Sequence, residues 1–371
     1  MSGQKVRIGL TLPNRGVLFG ATTVAELLDL SALADGSGYF DSVWVGDSIL
    51  AKPRAEAITL LSAIAARTKR VTMGPACLAS FPLRHPVILA YQWATLDLIA
   101  AGRTMMVACK GAPGGGGGDF LNEFKAIGVD PRERTGRMEE GIEILRKLWT
   151  EDHVTFVGKF YQLEDVTVEP KPAAKPHPPI WIASNPQFFS LSPRTVENTR
   201  RRVARLADGW MTTGISPEGL RESLAGIKRF FPEYGREPAE FPACLYYNVH
   251  INEDREAAFT ESKKFLDLYY TVDWPREFLE LWVAHGSPPE CLEKLRSFAA
   301  AGATEITSDG DHHPFPFLGP EEANRAVFAR GRSSPLGRRK VGLDARCWVL
   351  GSSPAPSTQH PAPRRDHDYS L

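Results

Sequence analysis

Cysteine is scarce in this sequence, and what there is of it is scattered. Cys77, Cys109, Cys244, Cys291 and Cys347 are the only five, and no two form a CxxC pair. That argues against a zinc ribbon and a disulfide framework, and it suits a reducing, cytoplasmic setting. An excess of one charge is also missing, since 44 Lys and Arg balance 44 Asp and Glu. Neither nucleic acid nor an anionic membrane is therefore called for as a partner. Long apolar runs are absent too. The run over residues 1–12 is broken by Pro13, too early for a signal peptide or a membrane span. HExxH, EF-hand and GxSxG patterns do not occur, so neither a metal centre nor a serine-hydrolase elbow is expected. The pair His312 and His313 lies in a proline-broken segment and is a weak metal signal.

What is present is an ordinary globular composition, 43% hydrophobic and 24% charged over 371 residues, enough to bury a large core. Short apolar runs alternate with longer segments of helical period. Strands are expected at residues 6–12, 42–45, 71–73, 105–110, 180–183, 210–213, 245–251 and 304–307. Thr23 followed by Glu26 has the spacing of a capping box, and Pro86 sits where a first-turn proline belongs. Val87, Ala90, Tyr91, Ala94 and Leu98 are expected to line one face of the helix that Pro86 opens. Residues 156–161 and 166–168 read as a hairpin inserted outside the repeat. Eight strands alternating with helices predict an α/β fold, a closed (β/α)8 TIM barrel with insertion segments. A doubly wound open sheet is the competing topology. Against it, residues 12–16 read Leu-Pro-Asn-Arg-Gly where a GxGxxG turn would stand. The barrel is expected to occupy residues 1–330. The stretch 331–371, rich in Pro, Ser and Arg, is expected to be a disordered tail into which a last helix at 320–329 breaks off.

Barrels carry their chemistry on the loops that follow the C-terminal ends of the strands. Those loops begin near Asn14, Asp47, Cys77, Cys109, Ser184 and Thr213. Cys109 and Lys110 end the fourth strand, ahead of glycines 114–118. Such a segment can bring backbone N–H groups and a cation to a phosphate, or it can be a buried thiol, a solvated lysine and a loose loop. Ser184 and Asn185, ahead of Pro186, end the fifth strand as a phosphate-binding turn or as a plain turn. Asp47 ends the second strand, able to orient a substrate or to cap a loop. His85, just before a helix, reads as a capping or packing histidine rather than a base. Tyr246, Tyr247, Tyr269, Tyr270, Trp274, Phe278 and Trp282 make the segment between the last two strands aromatic. About half of them are expected to line a substrate pocket and half to pack the core.

Several blocks follow one another in an order that is specific when taken together. They are Gly38-Tyr39-Phe40-Asp41-Ser42-Val43-Trp44, His85-Pro86, Ala101-Gly102-Arg103, Glu123-Phe124-Lys125-Ala126-Ile127-Gly128, Gly158-Lys159-Phe160-Tyr161, Pro179-Ile180-Trp181-Ile182 and Ala207-Asp208-Gly209-Trp210. With them, residues 6–329 resemble the luciferase-like flavin monooxygenases and their deazaflavin-dependent relatives. The resemblance implies a barrel that binds its cofactor at the C-terminal strand ends. It implies Cys109 near the reactive edge of the ring, Lys110 and Arg134 on the phosphate, and Ser184 with Asn185 in the turn closing over it. Cys77 joins this cofactor-binding set, and Asp47 joins Cys109 as a catalytic candidate. Ser48 stands where many relatives carry a histidine. The activity implied is oxygenation of an apolar or aromatic small molecule by reduced FMN and dioxygen, with a separate flavin reductase as a partner and a homo-oligomeric state. Hydride transfer with a deazaflavin is one alternative, and a flavin-binding partner subunit without catalysis is another.

Overall fold

The computed structural model describes residues 6–112, 117–185, 191–237 and 240–310. The expected tail, the helix at 320–329, His312 and His313, and most of the glycine run lie outside the described residues. The strands are β1 (Arg7–Leu12), β2 (Ser42–Val45), β3 (Thr72–Pro75), β4 (Met106–Ala108), β5 (Val154–Val157), β6 (Gln162–Val166), β7 (Ile180–Ala183), β8 (Gly209–Thr212), β9 (Ala243–Ile251), β10 (Val283–Gly286) and β11 (Glu305–Gly310). The helices are α1 (Val24–Ser37), α2 (Ala57–Arg67), α3 (Pro86–Ile99), α4 (Phe120–Ile127), α5 (Arg134–Thr150), α6 (Pro193–Leu206), α7 (Pro217–Lys228), α8 (Arg255–Tyr270), α9 (Arg276–Trp282) and α10 (Pro288–Ala301).

Local sequence starts these helices where side chains can satisfy their free N–H groups. Thr23 and Glu26 form the expected capping box on α1. Ser192, Ser216 and Ser287 each cap a helix whose next residue is proline. The serine takes a free donor and the proline removes another, so the pair Ser-Pro is a compact start signal. His85 caps α3, its Nδ1 accepting the N–H of Val87 at 3.3 Å, as the sequence suggested.

Eight strands run parallel in the order β3-β2-β1-β11-β9-β8-β7-β4. Each lies beside its neighbour in the chain repeat, as a (β/α)8 barrel requires. Closure falls between β3 and β4, where the ladder shrinks to isolated bridges at Met73–Thr104 and Leu78–Ala108. Met105 N–H donates to Met73 O at 2.9 Å, and Leu78 N–H to Val107 O at 2.8 Å. Gly74 makes this approach possible, because a Cβ there would lie 2.0 Å from the Met105 carbonyl oxygen. Trp44, Met105, Val107, Trp181, Met211 and Cys244 form one apolar cluster, drawn from the strands themselves. A second, larger cluster packs helices such as α2, α3 and α5 on the outside of the sheet. Alternation along β2 shows the two sides, since Trp44 belongs to the first cluster while Val43 and Val45 belong to the second.

Three expectations change. The hairpin is β5 and β6, and its turn falls on residues 158–161, part of the stretch expected as strand. Glu140 on α5 accepts the N–H groups of Lys159, Phe160 and Tyr161, and this holds the segment as a turn. On α3 the buried set is Leu89, Ala90, Trp93, Ala94 and Leu96, while Tyr91 and Leu98 are exposed. The helix is apolar nearly all round, so its period could not choose a face. Finally, α4, α9 and β10 were not anticipated. Two are short helices, and β10 pairs only with β9, outside the main sheet path.

Gly74→Ala tests the seam. The added methyl meets a backbone carbonyl that cannot rotate away, so stability should fall by about 1–3 kcal/mol or more. Chemical denaturation measures this, and an unchanged midpoint would show that β3 and β4 do not depend on their close approach.

Candidate active site

The C-terminal strand ends gather most of the residues that the sequence singled out. Asn14, after β1, ties its loop to that of β2. Its Nδ2 donates to the carbonyls of Gly46 and Ala55, and its Oδ1 accepts the N–H of Gly46. Asp47 follows β2 and is buried. Its carboxylate accepts the Ser80 N–H at 2.8 Å and faces Arg84 at 3.5 Å. Burial pushes the Asp47 carboxyl above its ordinary range despite the nearby guanidinium. Ser48 donates to Glu123 Oε2 at 2.9 Å and accepts the N–H of Lys52. The same Glu123 oxygen also accepts the N–H groups of Leu50 and Ala51. Ser48 therefore builds the loop and pins it to α4, which is a structural task.

Cys77 and Cys109 end the neighbouring strands β3 and β4, and the Ala76–Cys77 peptide is cis. The two thiols are buried close to one another. Their interaction, with burial, raises Cys77 well above the usual thiol range, and the same interaction lowers Cys109, aided by the Gly111 N–H and Lys110. Of the pair, Cys109 is thus the one more readily ionised. Lys110 lies within electrostatic reach of Arg134 at the start of α5 and of Arg202 on α6. Burial first, and then these two cations, lower its ammonium below the usual range. Arg202 is anchored by Glu139 at 2.5 Å, and the same carboxylate takes Arg205. Ser184 and Asn185 end β7, the strand beside β4. Ser184 Oγ accepts the Trp210 indole N–H at 2.9 Å, and Asn185 Oδ1 accepts the Thr213 N–H at 3.0 Å.

A cavity of about 130 Å3 opens at the same end. Asp47, Cys77, Thr11, Lys52 and Arg54 line it, with the rings of Phe120, Tyr246, Tyr269 and Tyr270. The Tyr246 and Tyr270 hydroxyls bond at 2.9 Å. Tyr247, Trp274, Phe278 and Trp282 do not line it. Tyr247 packs on Phe298, and the other three pack on one another, Trp274 and Phe278 stacking at 4.5 Å. The aromatic segment thus divides between pocket and core. A larger cleft of about 380 Å3 lies by β10, lined by His285, Glu280, Glu290 and Lys294. None of the sequence-predicted residues reaches it, so the smaller cavity is the one beside the candidate chemistry.

Lys52, Arg54, Arg15 and Arg202 escaped the sequence reading. Lys52 and Arg54 stand in the loop after β2, the same loop that drew attention to Asp47. Two cations within nine residues of a barrel strand end were the available signal. Lys52 is buried, with its ammonium 4.6 Å from the centre of the Tyr270 ring. Burial, with Arg54 and Arg15 close by, pulls it down to about 7.

The family model for luciferase-like monooxygenases matches residues 6–305. An F420-dependent glucose-6-phosphate dehydrogenase from Nakamurella multipartita is 28% identical over 320 residues, which cover 78% of this chain and 87% of that protein. An FMNH2-dependent dimethylsulfone monooxygenase from Pseudomonas putida is 33% identical over 176 residues, 47% of this chain and 43% of that protein. In three dimensions, an F420-dependent secondary alcohol dehydrogenase superposes with a TM-score of 0.68 at 18% identity, covering 87% of this chain and 96% of the other, a likeness of fold.

The position of Lys52 has a consequence for stability. Its pKa is about 10.5 in the unfolded chain and about 7 here. The unfolded state then binds more protons between those values, so the cost of burying the ammonium is complete below pH 7 and fades as pH rises towards 10.5. Lys52→Met should raise stability by on the order of a few kcal/mol at pH 6, and by progressively less above pH 7. Denaturation of both proteins at pH 6, 8 and 10 checks this, and a pH-independent difference would mean that the ammonium is not titrating in this window.

Proposed function

Because this chain belongs to the luciferase-like monooxygenase family, we propose that it is a deazaflavin-dependent oxidoreductase that moves a hydride to or from a small organic molecule. The observation that carries this choice is the span of its relatives. The F420-dependent dehydrogenase from Nakamurella multipartita aligns along 78% of the chain, against 47% for the FMNH2-dependent monooxygenase. Oxygenation with reduced FMN is the second reading, and that monooxygenase favours it.

Both readings place a phosphate-bearing cofactor at the same side of the mouth. Lys110 and Arg134 fit such a group as partly buried cations beside the β4–β7 junction, with Arg202, held by Glu139, adding positive charge next to them. Ser184 and Asn185 would shape the adjoining turn, and Cys77 and Cys109 would form the wall beside the ring. When bound, a deazaflavin supplies a carbon that accepts or returns hydride. The chain must supply the proton acceptor, and Asp47 is the group proposed. It lines the cavity, and its raised affinity for protons matches that task better than an ordinary carboxylate would. With an alcohol substrate, Asp47 Oδ would take the O–H proton as a bound deazaflavin supplied the acceptor for the hydride. Arg84 and Ser80 hold the carboxylate in place.

Titration of the purified chain with F420 and with FMN, each in both redox states, tests the reading. Tight F420 binding and anaerobic turnover are expected. Tight binding of reduced FMN alone, with oxygen uptake, would replace it by the monooxygenase reading. Arg134→Ala should weaken a phosphate-bearing cofactor by about ten- to a hundredfold, since a charge-assisted bond contributes roughly 1.5–3 kcal/mol. Riboflavin, which lacks the phosphate, should respond little, and equal losses would make Arg134 a support of the fold.

Asp47 has its own test. Its carboxyl must be ionised to accept a proton, so kcat should fall as pH drops through a range above that of ordinary carboxylates. Asp47→Asn should lower kcat far more than KM and abolish that acid limb. A limb that persists in the variant would belong to another group.

A further inference from the structure

The mouth carries a second group of cations, apart from the first. Arg15 follows β1, and Lys52 and Arg54 follow β2. Two guanidiniums share one ring, since the Arg15 and Arg54 Cζ atoms each lie 6.0 Å from the centre of Tyr269. The neighbouring Tyr270 takes the Lys52 ammonium, and the two tyrosine rings are 5.1 Å apart. Arg15 is only 7% exposed, and its Nε and Nη1 have no hydrogen-bond partner among the described residues.

Among the described residues, few carboxylates stand beside these cations. Asp47 is the one carboxylate among the described lining residues of the cavity, and it already faces Arg84 and the Ser80 N–H. Glu123 turns one oxygen to Ser48, Leu50 and Ala51. A buried guanidinium with unsatisfied N–H groups is costly, and it is worth keeping where a ligand completes it. Tyrosine faces hold cations near one another only weakly, at roughly 0.5–2 kcal/mol each, and they leave Nε and Nη1 of Arg15 in need of acceptors.

We propose that Arg15, Lys52 and Arg54 form an oxyanion subsite that holds a phosphate or carboxylate group borne by the organic substrate. The guanidiniums offer in-plane N–H donors to such a group, the arrangement in which Arg binds oxyacids best. Tyr246, Tyr269 and Tyr270 pack against the organic part beside it. The subsite is distinct from Lys110, Arg134 and Arg202. In the order of the sheet, β1 and β2 are separated from β4 by β3, and Cys77 and Cys109 lie between the two cation groups. A substrate anchored at one side and a cofactor phosphate anchored at the other would bring their reactive parts together over the thiol pair. The proposal rests on the oxidoreductase reading for the role of the anion, and on the cations alone for its binding.

Inorganic phosphate is the probe, titrated into the full chain without cofactor at constant ionic strength and followed by calorimetry. Two phosphate sites are expected. Arg15→Gln and Arg54→Gln should each weaken one of them by about tenfold or more and leave the other, while Lys110→Met should do the reverse. Arg15→Lys, which keeps the charge, should retain most of the binding and guards against a variant that misfolds, with near-ultraviolet circular dichroism as the check on folding. Phosphate binding lost only in Lys110→Met, or unchanged in both arginine variants, would overturn the proposal. So would a loss of FMN or F420 affinity in Arg15→Gln as large as the loss of phosphate affinity, because the anion would then belong to the cofactor. Failure of the wild type to bind either cofactor would remove the oxidoreductase reading while leaving the phosphate titration to report on the cations.

Discussion

Everything at the mouth depends on the closure of β3 against β4. Elsewhere around the barrel the strands share ladders of several residues, but here two bridges and a few backbone hydrogen bonds complete the ring. The absence of a side chain at Gly74 lets the Met105 carbonyl come in. That approach sets Cys77 beside Cys109 and directs Lys110 towards α5 and α6. It also seals the barrel over Trp44 and Trp181, whose rings lie 6.2 Å apart. Were the seam to splay, the thiols would part and the cofactor side would lose its shape before the outer helices lost their packing.

Buried polar groups occur at both ends of the barrel, and they do different work. Towards the N-terminal ends, Glu305 at the start of β11 accepts from the hydroxyl of Ser42 at the start of β2, which itself accepts the Trp44 indole N–H at 2.7 Å, and Arg7 lies 3.5 Å from the same carboxylate. That network joins β1, β2 and β11 side by side, with Glu305 Oε2 left facing Arg7 and without a hydrogen bond among the described residues. At the C-terminal mouth, Lys52 is desolvated and Arg15 is incompletely paired. Groups that lower stability without improving the packing are what a binding site retains. What differs between the two ends is the position of the groups, since only those at the C-terminal mouth line a cavity.

The strand order and most helices were legible because they rest on local rules. Capping boxes, Ser-Pro starts and apolar runs of four to six residues carry their own signal. The candidate site was partly legible for a related reason. In a barrel, a polar residue just past a strand is at the mouth, and Asp47, Cys77, Cys109, Lys110, Ser184 and Asn185 all are. What could not be read was which distant residues meet them. Arg202 lies on α6, 92 residues beyond Lys110 in the chain, and Tyr269 and Tyr270 reach the mouth from the end of α8. Nor could periodicity choose a face for α3, where nearly every position is apolar. The role of Ser48 was hidden in the same way, since Glu123 approaches it from α4, 75 residues further along the chain.

The blocks that carry the family resemblance turn out to hold the frame. Asp41 accepts the Ile8 N–H. Arg103 donates to the carbonyls of Val71, Ala65 and Thr68. Glu140 holds the hairpin turn, and Asp208 accepts the Ile180 N–H and pairs with Arg146. Each satisfies backbone donors or acceptors where one element meets another, a task that serves the frame rather than the substrate. Lys52, Arg54, Tyr269 and Tyr270 belong to none of those blocks. They sit in a loop and at a helix end, where side chains can change without opening the barrel. Resemblance therefore reaches as far as the class of cofactor chemistry, and the substrate has to be argued from the cavity itself. Among the described residues there, cations outnumber carboxylates and stand among tyrosines, and the proposed anionic substrate answers that arrangement.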